Sequence, residues 1–339
     1  MQIAVIGAGI SGLTCARQLQ AHGHSVTVYE KSNHVSGRMG TRETELGGFD
    51  HGAQYFTAVS DGFKKQVSAW RKAGLVAAWE GKLVTLDAAT GAAPKAAGRG
   101  TQRYVAVPGM SALGQYLADG LDVRTGQLVK RIAAADPSGS AKSQWLLTVQ
   151  SDTVPIDAHA GPFDAVIVAM PAEQAASLLV AVPAMAKVAA KTHLAPCWSL
   201  MLGFQQPLEL GYDGAWINNS RLSWIARDAS KPERRPGEHW VAHASAAWSA
   251  EHLGDDAERA RDKLLKAFHE ATGSRVQPIH AVAHCWRYAQ ALEPLDKPCL
   301  WDAKHKIGAC GDWFAAGLEG GGRAENAYIS GLQLTGHIG

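Results

Sequence analysis

Ile3 to Ile6 form an unbroken apolar run, the pattern of a short strand covered on both faces. Gly7, Gly9 and Gly12 follow. Leu13, Ala16, Arg17, Leu19 and Gln20 then recur at helical spacing, and Gly23 is placed to stop that helix. "SVTVYE" predicts a second strand that ends in Glu30. The same buried-strand pattern returns in "FDAVIVAMP", where Pro171 predicts the start of the next helix, and in Ile307 to Cys310. "PGMSALGQYLADGL" predicts a helix capped by Ser111, with strands near Val123, over Leu128 to Ile132 and in "SQWLLTVQS". "DGFKKQVSAWRKAG" is amphipathic, and so is "GDDAERARDKLLKAFHEATG", whose inward positions are predicted to be Ala257, Ala260, Leu264 and Phe268. "LAPCWSLMLGF", "LSWIARD", "HWVAHAS" and "RVQPIHAVAHCWRY" read as strands. Between these elements, Ala133 to Lys142 is expected to be a hairpin turn and "LDAATGAAPKAAGRGTQ" an exposed loop. "SKPERRPGEH" is expected to be a solvated, charge-rich turn.

Composition narrows the classes. Lys plus Arg is 33 against 31 Asp plus Glu, so nothing electrostatic suggests nucleic acid or a membrane surface as partner. The five cysteines, Cys15, Cys197, Cys285, Cys299 and Cys310, include no CxxC pair, so neither a disulfide framework nor a zinc site is indicated. Met1 runs directly into "IAVIGAG", an apolar run too short to span a bilayer, and a cytoplasmic location is the expectation.

The glycines carry the first chemistry. In a strand–turn–helix setting Gly7 permits the tight turn, Gly9 lets a pyrophosphate touch the backbone, and Gly12 brings helix and strand close. Glu30, 18 positions after Gly12, is placed to bind adenosine ribose hydroxyls, and an acid there argues against a 2′-phosphate. Gly37 and Arg38 follow almost at once, where a guanidinium could meet the pyrophosphate. Near the other end, "GACGDWF" places Gly311 and Asp312 after a strand, with Asp312 expected to accept hydrogen bonds from a ribityl chain. Gly320 to Gly322 and a helix beginning near Arg323 are expected to put backbone N–H groups against an isoalloxazine. No second GxGxxG is present, so a separate NAD(P)H domain is not expected.

"VIGAGISGL", Glu30, "SGRMG", "GGFDHGAQYF", "VPGMSAL", "FDAVIVAMPA" and "GACGDWF…GGRAENAYISG" together resemble the amine-oxidase class of FAD flavoproteins, and more narrowly its bacterial renalase-like branch. Ser36 departs from that pattern, standing where the family usually has the first glycine of Gly-Gly-Arg. The resemblance implies an α/β fold: a discontinuous Rossmann-type FAD-binding domain (1–55, 105–190 and 284–339) and a mixed-sheet α+β substrate domain (56–104 and 191–283). It implies non-covalent FAD held by Gly7, Gly9, Ile10, Ser11, Gly12, Glu30, Lys31, Gly37, Arg38 and Met39. Asp50, His51, Gly52, Ala53, Gln54, Tyr55, Leu128, Val129, Met170 and Pro171 continue that set, and Gly311, Asp312, Gly321, Gly322, Arg323 and Ala324 complete it. His243 matches a family histidine near the flavin, and Trp286 and Tyr288 are candidate pocket residues; core packing is the alternative for all three. The strand Pro196 to Phe204 has no Lys, unlike many amine-oxidising relatives, and Cys299 lies in no flavin-attachment context. The implied activity is therefore oxidation of isomeric (2- or 6-) dihydronicotinamides of NAD(P), with oxygen as electron acceptor and hydrogen peroxide as product. The alternatives are an amine oxidase or desaturase of a small apolar substrate, and a flavin-containing binding protein without turnover.

Overall fold

A computed structural model describes residues 1–338 except 92, 97–99, 137–143, 152–157, 316 and 319–322. The chain forms two compact units, Met1–Arg38 with Gly114–Leu194 and Gln290–Gly339, and Met39–Leu113 with Ala195–Ala289.

In the first unit, described strands pair in the order Leu300–Asp302, Ile307–Ala309, Ala165–Val168, Gln2–Ile6, Ser25–Tyr29, Asp122–Arg124, all parallel except the first. Ile3, Ala4 and Val5 have no exposed surface, as the uninterrupted apolar run requires. The helix Ile10–Ala21 leaves the Gln2–Ile6 strand and packs against the helix Ala324–Thr335. Their contact is close because Gly331 has no side chain: a Cβ there would lie 2.2 Å from the Ser11 carbonyl oxygen. A three-stranded antiparallel sheet, Gln127–Ala134, Trp145–Ser151 and Ala158–Phe163, is joined to this unit, and the 133–142 turn falls largely outside the described residues. Two predicted ends move by one residue: Pro171 is the N-cap of the helix Ala172–Leu178, and Cys310 follows the strand Ile307–Ala309.

In the second unit, seven described strands form a mixed sheet in the order His280–Ala291, Leu194–Phe204, Glu238–Ala244, Leu222–Arg227, Gly214–Asn218, Leu83–Asp87, Lys95–Ala96. Period-two alternation divides its faces. Trp198, Leu200, Leu202, Phe204, Ile225, Trp240 and Ala242 point to a core closed by Ala260, Leu264, Ala267 and Phe268 of the helix Ala257–Thr272. That helix begins where Asp256 accepts the Arg259 N–H (2.8 Å) and ends at Gly273, at φ +72°. Ala257 is exposed, contrary to expectation, and Ala267 takes the inward position: 260, 264, 267 and 268 share one side of a 3.6-residue turn. The alternate sheet positions, among them Ser199, Met201, Trp216, Trp224, Val241 and His243, face the other way.

The division between units differs from that read in the sequence. Residues 39–55, 105–113 and 284–289 belong to the second unit, and Lys191 to Leu194 to the first. The first three segments are tied together by Asp50, which meets Met110, and by His51, which meets His284 and Trp286.

Candidate active site

The glycine turn in the first unit has the shape its sequence implies. Gly7 is at φ +108°, and a Cβ there would sit 2.3 Å from the Ala169 carbonyl oxygen. At Gly12 the corresponding distance is 2.0 Å, to the carbonyl oxygen of Gly7. At Gly9, by contrast, no atom lies within 4 Å of a Cβ position, so its backbone can be approached from outside. Glu30 is buried beside this turn: one carboxylate oxygen accepts from the Ala8 N–H (2.9 Å), the other from the Ser32 N–H (2.9 Å) and hydroxyl (2.8 Å). The Ser36 N–H donates to the Ala8 carbonyl (2.9 Å), and a Cβ on Gly37 would lie 3.4 Å from the Gly9 Cα. Ser36 adopts φ +88°, a left-handed backbone that favours glycine, which gives a physical meaning to the departure at this position. The hydroxyls of Ser11 and Thr14 are buried without a hydrogen-bond partner among the described residues. Two unsatisfied polar atoms beside an open glycine backbone at a helix start fit a dinucleotide phosphate. Replacing Gly12 by Ala drives a methyl into the Gly7 carbonyl oxygen; the expected result is protein purified without flavin colour and destabilised by about 1–3 kcal/mol, read by absorbance and urea unfolding.

Arg38 and Asp312, expected separately to meet a pyrophosphate and a ribityl chain, also meet each other. Their side chains form a two-pronged ion pair, Nη1 to Oδ2 at 2.9 Å and Nη2 to Oδ1 at 2.5 Å. The residues are 274 positions apart, a separation no local motif can reveal. The Gly311 N–H donates to the Ser330 hydroxyl (3.1 Å), and the fully buried Trp313 donates through its indole to the Met170 carbonyl (3.1 Å), beside Pro171. Ile10 and Val129 are buried, whereas Lys31 and Leu128 are exposed. Arg323 is the N-cap of the helix that opens at Ala324. Gly320, Gly321 and Gly322 lie outside the described residues.

In the second unit the predicted residues 50–55 are anchored by a buried ion network. Asp50 is fully buried and accepts from the Thr41 hydroxyl (2.7 Å), the Met110 N–H (3.0 Å), Lys231 Nζ (3.1 Å) and Arg234 Nη2 (2.6 Å). The Asp50 N–H donates to Asp228 (2.6 Å), and Lys231 also donates to Asp228 and to Gln54 Oε1 (3.3 Å). Gln54 donates through its amide to the Asp50 carbonyl. Burial alone would raise the Asp50 carboxyl, but Lys231 and Arg234 overcome it and hold the group down to about 2. At Asp228 burial wins and the carboxyl is raised, with Lys231 opposing. The segment "SKPERRPGEH" is therefore not the solvated turn its composition suggests, because the Lys231 and Arg234 side chains are only 0% and 4% exposed. Buried cations of this kind are stable only when paired.

This network fixes the segment that carries His51, and two of the predicted pocket residues converge there. The His51 carbonyl accepts from Trp286 Nε1 (2.9 Å) and His243 Nε2 (3.3 Å). A carbonyl can only accept, so His243 carries its proton on Nε2 and leaves Nδ1 bare. The His51 ring lies 5.0 Å from His284 and 4.9 Å from Trp286, centroid to centroid. Burial brings His243 down to about 4, with Lys231 adding to the effect. Burial, then the charges of His284 and Arg42, brings His51 to about 4 as well. Both imidazoles are neutral at pH 7. Tyr288 is half-buried, two residues past Trp286 on the same strand. Met39 and Gly52 are buried, and Ala53 and Tyr55 half-buried.

Sequence reading missed Lys231, Asp228, Arg234, Ser199, Trp216 and Trp224. One signal was present: Ser199 is a hydroxyl within the otherwise apolar run Leu194–Phe204, and it stands directly opposite His243 in the ladder.

The open glycine turn beside the buried Glu30 and the mixed-sheet unit in the same chain agree with the class that the comparisons give, an FAD-dependent oxidoreductase. Residues 5–69 match the NAD(P)-binding Rossmann-like domain and residues 75–333, more than half the chain, match the flavin containing amine oxidoreductases. The chain belongs to the flavin containing amine oxidoreductase family. Its fold is similar to that of a protein provisionally called protoporphyrinogen oxidase from Exiguobacterium sp. 255-15, at 12% identity and a TM-score of 0.74, covering 99% of this chain and 98% of that one. It is likewise similar to cyclohexylamine oxidase from Brevibacterium oxydans IH-35A, at 14% identity and a TM-score of 0.73, again covering 99% and 98%. A 52-residue stretch is 48% identical to a 4,4'-diapophytoene desaturase of Staphylococcus aureus (strain Newman), spanning 15% of this chain and only 10% of that protein's length. No helix among the described residues is long and apolar enough to cross a membrane.

Proposed function

We propose that the protein binds FAD non-covalently and oxidises isomeric (2- or 6-) dihydronicotinamides of NAD(P), with oxygen as final acceptor. The observation that carries this reading is that its second unit offers a neutral, hydrogen-bonded site rather than a strong base. His243 is uncharged and tied to the His51 carbonyl, and Lys231 is held between Asp50 and Asp228. A dihydronicotinamide needs no base: a ring C–H bond breaks, hydride leaves with both electrons, and the ring becomes an aromatic nicotinamidium. With one proton and one dioxygen, the products are the oxidised nucleotide and hydrogen peroxide. Bound FAD would supply the hydride acceptor and hand two electrons on to oxygen. Glu30 would hold the adenosine ribose, and the backbone at Gly9 and Gly37 with Arg38 would hold the pyrophosphate. His243 and Trp286 orient the 51–55 segment through a single carbonyl, and Tyr55 and Trp286 provide flat surfaces for a planar substrate.

Mixed anaerobically with the 6-dihydro isomer of NAD, the purified protein is expected to lose its visible flavin absorbance within seconds. Regaining it on admission of air should release one hydrogen peroxide per substrate. Denaturing the protein should release the flavin into solution. Absorbance that persists with every dihydronicotinamide but bleaches rapidly with a primary amine would replace this reading with amine oxidation.

A further inference from the structure

The non-core face of the seven-stranded sheet carries one continuous transverse row. Ser199 pairs with His243, His243 with Trp224, and Trp224 with Trp216, each directly opposite in the strand register, so all four side chains leave the same face. Next to Ser199, towards one end of the row, stands the neutral His243. At the other, Trp216 and Trp224 meet at 4.8 Å between centroids, and Tyr55 packs on Trp224 at 5.7 Å and on Trp79 at 6.0 Å. Ser199 Oγ and Trp224 Nε1 are buried and have no hydrogen-bond partner among the described residues.

Arg103 lies over this aromatic end. Its guanidinium carbon is 5.1 Å from the Trp216 ring centre and 5.4 Å from that of Tyr55. Its backbone is fixed, because the Trp79 N–H donates to the Arg103 carbonyl (2.9 Å). No carboxylate of the described residues pairs with its guanidinium, in contrast to the nearby Lys231 and Arg234. A guanidinium held over aromatic faces retains its N–H donors as a planar fork, the geometry that takes a phosphate through two parallel hydrogen bonds. His243 and Trp216 are two strand spacings apart, roughly 10 Å. A flat ring at the first and an anion at the second define an elongated ligand with an aromatic head and a phosphate tail.

We propose that Arg103, stacked on Tyr55 and Trp216, recognises the 5′-phosphate of the substrate, so that the enzyme acts on nicotinamide nucleotides in preference to the nucleoside. This rests on the dihydronicotinamide reading above and adds the specificity that reading leaves open. It also places a fixed positive charge where a cationic amine would be repelled.

The test uses the FAD-loaded protein and two products, nicotinamide mononucleotide and nicotinamide riboside, which differ only in the phosphate. Binding is measured by quenching of tryptophan fluorescence, and KM is measured for the corresponding 6-dihydro compounds. Wild type should favour the nucleotide by about tenfold to a hundredfold, the range of one charge-assisted hydrogen-bonded pair. In Arg103→Gln that preference should collapse to near unity, with flavin content and thermal unfolding unaltered, and Arg103→Lys should retain part of it. Equal KM for nucleotide and nucleoside in wild type overturns the assignment of Arg103 and leaves the dihydronicotinamide reading standing. A preference that survives in Arg103→Gln does the same. Flavin that no dihydronicotinamide bleaches overturns both.

Discussion

Replacing Lys231 by methionine is expected to lower the unfolding free energy by about 3–5 kcal/mol. Its ammonium has no exposed surface and contacts two carboxylates, Asp50 and Asp228, which themselves are 0% and 1% exposed. Methionine preserves the volume and leaves a net negative charge in a place that water does not reach. Among the described residues Arg234 pairs with Asp50 and not with Asp228, so the second carboxylate has no replacement cation. The double variant Lys231→Met with Asp228→Asn removes one charge of each sign and should recover much of the loss, because charges stranded by their partner's removal, rather than missing contacts, are what destabilise. Urea unfolding followed by tryptophan fluorescence is the measurement, since eight of the eleven tryptophans lie in the second unit. A single-variant loss below about 1 kcal/mol, the range of a solvent-exposed pair, would show that the network does not anchor the 50–55 segment.

The functional meaning of this network comes from adjacency. Asp50 is held by four donors from side chains and backbone, and the next residue, His51, presents the carbonyl on which His243 and Trp286 meet. Rigid support of this kind places a site more accurately than a loop can. It also explains which parts of the molecule were legible beforehand. The Gly7–Gly12 turn and the place of Glu30 after it were readable because turn chemistry is local: the residue that imposes the conformation lies within a few positions of its effect. Lys231 was not readable, because in "SKPERRPGEH" it looks like any surface charge, and its partner Asp50 is 181 positions away. The Arg38–Asp312 pair was missed for the same reason. Both residues were singled out, each for a contact with a ligand, but nothing local indicates that they meet. His243 could be named only through resemblance, and its structural company, Ser199 and Trp224, follows from strand register, which a sequence does not display.

Stability is expected to fall as pH drops from about 6.5 towards 4, a decline that begins above the range in which most carboxylates titrate. His51 and His243 are both lowered from 6.5 to about 4. In that window the unfolded chain binds protons that the folded chain refuses, so the slope of unfolding free energy with pH is positive and acidification destabilises. A displacement of this size corresponds to roughly 3 kcal/mol per histidine at full linkage. The groups facing them act in the same direction: His284 and Arg42 beside His51, and Lys231 beside His243, all disfavour a second positive charge. His239, His280 and His284 are lowered too, by burial first, and add to the slope. Asp50 contributes lower down: held to about 2, it loses its stabilisation only as pH falls from 3.8 through that value. Unfolding in urea, repeated from about pH 7.5 to about pH 4.5, measures the slope, and His243→Gln separates one contribution. Glutamine keeps a donor for the His51 carbonyl but cannot titrate, so its variant should show a shallower decline than wild type, with the two closest in stability at the acidic end. Parallel curves would mean that His243 accepts its proton in the folded state as readily as in the unfolded one, and the picture of a desolvated, uncharged imidazole on the sheet face would have to be abandoned.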